Sequence, residues 1–392
     1  MQRSLKNLIS LVKLEVNSWT IEARLLHWLT FLWLFIGLVT LVSASYPEGI
    51  TNNNDGFYLL KRQLVGVIVG FVGFTILVQK PLKKTLRVSP WMVLLFLVLI
   101  ILTLVPGLGK TTLGASRWIG IGPFSLQPSE LIKPFLILQA AYIFAKWNRL
   151  NNSVRLMWLL VFAFVLLGIL KQPNLSTTAL CGMSLWLIAV AAELPWTHLL
   201  VTAIGGLSLA IFSIRLNPYQ WDRIVFFLNP WQDHQGKGYQ LIQSLLAIAS
   251  GGFSGVGFGL SQQKLSYLPI RSTDFIFAVY AEEFGLIGCL LLLLLIIGYG
   301  TLALRVAIKA RHPIPRLIAI GVMVLMVGQS LINIGVAVGS LPTTGLPLPF
   351  FSYGTNSMIA SLLLAGLLIR VARENSQAEV IPIIESKNKL SK

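Results

Sequence analysis

Ten apolar runs separated by short polar segments set the pattern of this chain. They lie near Leu26–Ala44, Leu64–Val78, Trp91–Val105, Leu131–Ala145, Leu156–Leu170, Thr177–Ala192, Leu199–Phe212, Phe275–Val306, Leu317–Val338 and Met358–Val371. With a few flanking residues, each covers most of a hydrocarbon core of about 30 Å at about 1.5 Å per residue. The pattern predicts an all-α membrane protein, a polytopic bundle of about ten transmembrane helices spanning residues 26–373. One connection breaks the rhythm of short loops: the segment Ser213–Thr273, between spans seven and eight, is 61 residues long. Loops of that length in ordered proteins are often functional. In residues 1–25, Leu5, Leu8, Val12, Val16 and Trp19 recur at helical spacing among charged residues. This fits a helix lying in the membrane interface, and a loosely ordered basic tail fits as well. After Arg373 the chain turns polar, and residues 374–392 are expected to be a mobile tail.

Composition agrees with lipid as the main solvent. Of 392 residues, 55% are hydrophobic and 11% charged, where a soluble domain carries about 25% charged residues. The mean hydropathy is +0.76. A net charge of +17 raises the question of nucleic acid. The positions of the bases exclude it, because they cluster between the apolar runs. With the N-terminus inside, 20 Lys and Arg fall on the cytoplasmic side and 10 outside, five of these in the long loop, while Lys133 lies within a span. The count places both termini in the cytoplasm and the long loop outside it. Cys181 and Cys289 sit in apolar runs and read as buried thiols. No cleavable leader is evident.

Three glycine motifs carry less than they suggest. Gly107-Leu-Gly-Lys-Thr111 resembles the end of a phosphate-binding loop, but the position of that motif's first glycine holds Leu104, and the segment is placed outside the cell. Gly251-Gly-Phe-Ser-Gly-Val-Gly-Phe-Gly259 lacks the strand–loop–helix frame of a dinucleotide site. It reads instead as close helix approach or tight re-entrant backbone. Gly66 and Gly70 form a small-xxx-small helix-packing pair.

Ionisable groups at membrane depth cost about 2.5–3.5 kcal/mol each on insertion scales, so they need a partner or a purpose. In Gln127-Pro-Ser-Glu-Leu-Ile-Lys-Pro134, Glu130 and Lys133 share a helix face. They read either as a self-paired structural ion pair or as a pair facing a polar cavity. Pro134 should kink that helix. Asp274 stands where the long loop meets the eighth span. It reads either as a helix-capping aspartate or as a general base or metal ligand. Ala278, Ala281 and Gly285 follow it on one face and are expected to leave room for a ligand.

These segments also carry a family resemblance. Gly114-Ala-Ser-Arg-Trp-Ile119, Gln127-Pro-Ser-Glu130, Asn229-Pro-Trp-Gln-Asp233, Gly238-Tyr-Gln-Leu-Ile-Gln-Ser244, Thr273-Asp-Phe-Ile-Phe-Ala278, Ala281-Glu-Glu-Phe-Gly285 and Gly345-Leu-Pro-Leu-Pro-Phe-Phe-Ser-Tyr-Gly354 occur in order. Together they resemble the SEDS family (shape, elongation, division and sporulation), closer to its FtsW-like division branch than to its RodA-like elongation branch. The resemblance implies a multi-pass peptidoglycan glycosyltransferase of the bacterial cytoplasmic membrane, polymerising lipid II on the outer face for septal synthesis. It implies a class B penicillin-binding protein and other division proteins as partners. It also implies Asp274 as the catalytic residue, acting on a proton or helping to hold a divalent cation (magnesium or manganese), with no organic cofactor. Arg117 (in the Arg117-Trp118 pair), Glu130, Lys133, Ser352 and Tyr353 match family positions, and Arg223 joins them as a candidate for the pyrophosphate.

Three departures bear on that expectation. Asn174 stands where the family usually has an aspartate. Ile270-Arg-Ser272 replaces Glu-Ala-His, and Thr355-Asn-Ser357 replaces Gly-Ser-Ser. A lipid II flippase and a non-catalytic division scaffold are the competing functions. The flippase would need a polar path across the whole membrane, and the candidate residues cluster at one side.

Overall fold

The structure is a computed structural model that describes residues 16, 19–107, 109–112, 115–121, 124–265 and 267–390. Leu5, Leu8 and Val12 of the expected interfacial segment, and Leu113 and Gly114 of the loop before the fourth span, lie outside the described residues.

Helices occupy all ten expected places. They are α1 (Ile21–Asn53), α2 (Tyr58–Gln79), α3 (Leu82–Thr103), the pair α4 (Pro128–Leu131) and α5 (Lys133–Ala145), α6 (Asn152–Lys171), α7 (Leu175–Ala191) and α8 (Trp196–Leu216). After α9 (Pro218–Leu228) and α10 (Tyr239–Gly251), which belong to the long loop, come α11 (Ile276–Lys309), α12 (Pro313–Met323), α13 (Gln329–Ala337) and α14 (Thr355–Leu390). Among the described residues, eight segments are long and apolar enough to cross a membrane, with α12 and α13 acting as one and Thr355–Asn375 as the last. The fourth and sixth places are held by the broken α4–α5 pair and by the 17-residue α7. Large apolar side chains such as Ile68, Trp91, Phe164 and Leu294 point outward from these helices, as lipid-facing surfaces do.

Local chemistry explains the ends and breaks. Thr20 caps α1, its hydroxyl accepting from Ala23 N at 3.3 Å. The kink expected from Pro134 is present as the break at Ile132. A proline nitrogen cannot donate to the Glu130 carbonyl four residues back, so the helix breaks at Ile132 and restarts at Lys133. The packing read from Gly66 and Gly70 holds: a Cβ on either would press into Thr355, Ile359 or Leu362 of α14. Between α12 and α13, Val324–Gly328 forms a π-helical turn.

The segment between the third and fourth spans was not expected to contain strands. It folds as a three-stranded antiparallel sheet, β1 (Gly109–Thr112), β2 (Ala115–Ile121) and β3 (Phe124–Leu126), with Ile119 paired to both Gly109 and Leu126. The long loop is also largely helical. Its glycine run returns beside α11, which is broken at Gly285 (φ +63°). Backbone groups freed by that break are taken up by the run, with Val256 N donating to Glu282 O (2.9 Å) and Leu286 N to Gly252 O (3.0 Å). Re-entrant backbone of this kind survives at membrane depth only when its polar groups are paired within the protein. Two buried acids pin it. Glu282 accepts from Ser261 Oγ (2.5 Å) and Gln262 N (2.9 Å), and Glu283 pairs with Lys264 Nζ at 2.7 Å and accepts from Ser43 Oγ of α1.

Candidate functional site

Asp274 lies in a run of turns just ahead of α11, and it does not cap that helix. α11 begins at Ile276 with Phe275 before it and no side-chain cap. What holds Asp274 is the Gly345–Gly354 signature, backbone to backbone and through two side chains. Asn333 Nδ2 donates to Asp274 O (2.9 Å) and to Leu346 O (2.8 Å). Ser352 Oγ donates to Thr273 O (2.6 Å) and accepts from Leu348 N (2.8 Å), while Tyr353 N donates to Ser272 O (2.7 Å). Ser272 Oγ in turn donates to Glu48 Oε2 at 2.9 Å. Ile270 is held at φ +54°, a conformation a β-branched residue adopts only under tertiary constraint. The backbone around Asp274 is thus fixed from both sides.

Its carboxylate is left available. Among the described residues no ion pair or hydrogen bond engages it. A Cβ on Gly345 would stand 3.5 Å from Asp274 Oδ2 and 3.9 Å from both terminal nitrogens of Arg223, so the acid and the guanidinium face one small space. Arg223 is oriented by Thr343 O (3.1 Å) and by Tyr219, whose hydroxyl it meets at 2.5 Å and whose ring lies 4.6 Å from its guanidinium carbon. Arg117 on β2 donates to Gln172 O (3.0 Å) and Pro173 O (2.6 Å). Beside it a cavity of about 460 Å3 is lined by Leu104, Ser116, Lys171 and Pro173. Burial pushes the Asp274 carboxyl above the usual carboxylate range, and the charges of Arg223 and Arg117 pull it back down.

Other sequence-derived candidates fall elsewhere. Glu130 and Lys133 pair with each other at 2.7 Å, with 4% and 2% of their side chains exposed, and Lys133 Nζ also reaches Gln329 Oε1 at 3.3 Å. The pair is enclosed in the bundle, and a cavity-facing arrangement does not hold. Gln329 follows the π turn and donates to Pro347 O at 2.6 Å, which links the ion pair to the signature. Ser352 is buried with its hydroxyl used on backbone, so it positions Asp274 and offers nothing to a ligand. Tyr353 is half-buried, and burial raises its phenol while the charge of Arg62 opposes the rise. The room expected above Ala278, Ala281 and Gly285 is absent: all three are buried, with the backbone of Phe253–Gly255 against Gly285 and Gly251 against the Ala281 carbonyl.

The departures from the family pattern have structural roles. Asn174 caps α7, its side chain accepting from Thr177 N at 3.3 Å, and asparagine caps as well as aspartate. Asn356 Nδ2 donates to Ser125 O of β3 at 2.8 Å. The reading of single residues missed Asn333, Glu48 and Lys171. Lys171 was signalled by its place directly before the recognisable Gln172-Pro173 pair, whereas Asn333 lies inside an apolar run and gave no signal beyond its polarity.

Of the two roles left open for Asp274, the donor set fits only one. A divalent cation wants several oxygen ligands, yet Asp274 stands alone between two guanidinium groups, and no cluster of three His, Cys, Asp or Glu side chains exists among the described residues. Among the described residues, the side chains around Asp274 do not by themselves supply such a ligand set.

A family model described as "Cell cycle protein", covering FtsW, RodA and SpoVE, matches residues 23–377. The chain belongs to this family. It is 54% identical to a Synechocystis protein named "Probable peptidoglycan glycosyltransferase FtsW", over 94% of each chain. It is 36% identical to the stage V sporulation protein E of Bacillus subtilis, over 88% of this chain and 95% of that one. Among solved structures, a chain from "Structural coordination of polymerization and crosslinking by a peptidoglycan synthase complex" matches with a TM-score of 0.72 at 29% identity, covering 92% of this chain and 99% of that one. The rod shape determining protein RodA of Thermus thermophilus matches at 0.66 and 28% identity, covering 91% and 98%. Its FtsW/RodA/SpoVE membership and its helices make the chain a multi-pass membrane protein.

Proposed function

We propose that this chain is a peptidoglycan glycosyltransferase of the division type, polymerising lipid II at the outer face of the bacterial cytoplasmic membrane, with both of its termini in the cytoplasm. The observation that carries the reading is the unengaged Asp274 carboxylate, held by the signature loop and facing Arg223.

The acceptor sugar's hydroxyl oxygen forms a bond to the donor's anomeric carbon as the bond from that carbon to the pyrophosphate oxygen breaks. The hydroxyl proton passes to Asp274, and undecaprenyl pyrophosphate leaves with the bonding electrons. A carboxylate raised above its usual pKa is a stronger base, and the flanking cations favour its ionised form. Arg223 and Arg117, with Lys171 on the adjoining cavity, supply fixed positive charge for the developing pyrophosphate. The Glu130–Lys133 pair acts at one remove, bracing Gln329 and the signature. Relatives named FtsW support the septal role, and the synthase-complex relative supports pairing with a crosslinking enzyme, which we assign to a single-span class B penicillin-binding protein together with other division proteins.

The test is reconstitution. Purified protein and its transpeptidase partner, incubated with lipid II, should yield glycan strands. Failure to form strands, with lipid II instead moved across vesicles, would overturn the enzyme reading in favour of transport.

A further inference from the structure

At the end of the bundle away from Asp274, a second cavity of about 420 Å3 opens between the end of α5, the turn joining α7 to α8, and the start of α12. Its floor is apolar, formed by Phe144, Trp147, Leu194 and Leu317, all buried. Its rim carries Lys146, Arg149 and Arg316 against one acid, Glu193. No ion pair neutralises any of these groups among the described residues. Lys146 lies over the Tyr142 ring (4.3 Å) and donates to its hydroxyl at 3.0 Å, which leaves two of its three protons free. Behind the floor, Arg155 stacks over Trp147 at 5.3 Å, and its buried Nε has no hydrogen-bond partner.

Three unneutralised cations above an aromatic floor make a site for an anion that carries apolar substance with it. We propose that this cavity binds the phosphate of an acidic phospholipid headgroup. Basic pockets between membrane helices hold such headgroups. The lipid-facing side chains of α8 that follow directly on the cavity wall, Trp196, Leu200 and Ile204, are exposed and offer a track for the acyl chains. A free phosphate ion would use the rim and leave the aromatic floor without a function. The proposal stands apart from polymerisation at Asp274, and only its assignment to the inner leaflet rests on the topology given above.

The test uses full-length protein in lipid nanodiscs, with retained lipid counted by native mass spectrometry. Wild type should retain phosphatidylglycerol. Arg149→Gln with Arg316→Gln should retain it roughly thirtyfold more weakly. Lys83→Gln with Lys84→Gln, which removes two exposed bases from the first turn of α3, should behave as wild type. Arg149 and Arg316 are exposed, so equal melting temperatures in phosphatidylcholine discs will show that the double variant is folded. Equal retention of phosphatidylglycerol by wild type and the Arg149/Arg316 variant would overturn the site. Inorganic phosphate bound in phosphatidylcholine discs, with phosphatidylglycerol not retained, would overturn the lipid assignment.

Discussion

Asp274 is a carboxylate whose surroundings pull its proton affinity in two directions, burial upward and two arginines downward. Because it must be ionised to take a proton, activity should rise with pH through its pKa. Arg223→Gln removes a charge that lowers that pKa, so the acidic limb of the pH–rate profile should move to higher pH. A limb that moves to lower pH, or stays in place, would contradict the assignment. A second prediction concerns the buried pair. Lys133→Met leaves Glu130 charged and unpaired and should cost about 3–5 kcal/mol, whereas adding Glu130→Gln should restore most of that loss. Thermal melts of the single and double variants in detergent distinguish this from a ligand-facing lysine, for which the second change would restore nothing. At this scale the sequence marks which groups are costly. Spacing put Glu130 and Lys133 on one face, but only the packed bundle shows that they are enclosed. Ser352 matches a family signature, and its use on the Thr273 carbonyl is invisible without the fold because 79 positions separate the two.

Elements were legible where a run of apolar residues was long and illegible where order comes from pairing at a distance. The sheet over residues 109–126 depends on contacts among three short strands and carries no apolar run to announce it. The start of α11 was placed at Asp274 because capping residues usually stand there, yet the signature loop claims that backbone and the helix starts two residues later. The glycine run read as re-entrant backbone does serve that purpose, at the break in α11. Gly285 needs its positive φ and has no room for a Cβ against Phe253 and Gly255. Gly285→Ala should therefore lower stability by at least about 2 kcal/mol and loosen the segment that follows Asp274. Gly205, in α8 with open space around it, is the comparison: Gly205→Ala should change stability by less than about 1 kcal/mol. Equal melting temperatures for the two variants would remove the re-entrant loop from the account.

Over the whole molecule, the apolar runs foretold the bundle because each crossing of the membrane repeats one physical demand, and the distribution of Lys and Arg predicts its orientation. In a variant lacking Cys181 and Cys289, a cysteine introduced at Lys237 should react with a membrane-impermeant reagent in intact cells, and one at Lys84 only after permeabilisation. The reverse pattern would put Asp274 on the wrong side for its substrate. What the runs could not foretell is the clustering that makes a site: Asp274, Arg117 and Arg223 come from three segments brought together by the signature loop, the sheet and the long loop. The most direct test of that site is the rate of glycan-strand formation from lipid II by purified Asp274→Asn protein bound to its transpeptidase. The variant keeps the shape and every backbone contact of Asp274 but cannot accept a proton. The account predicts a rate at least about 100-fold below wild type with melting temperature and partner binding unchanged, and a rate near wild type would contradict it.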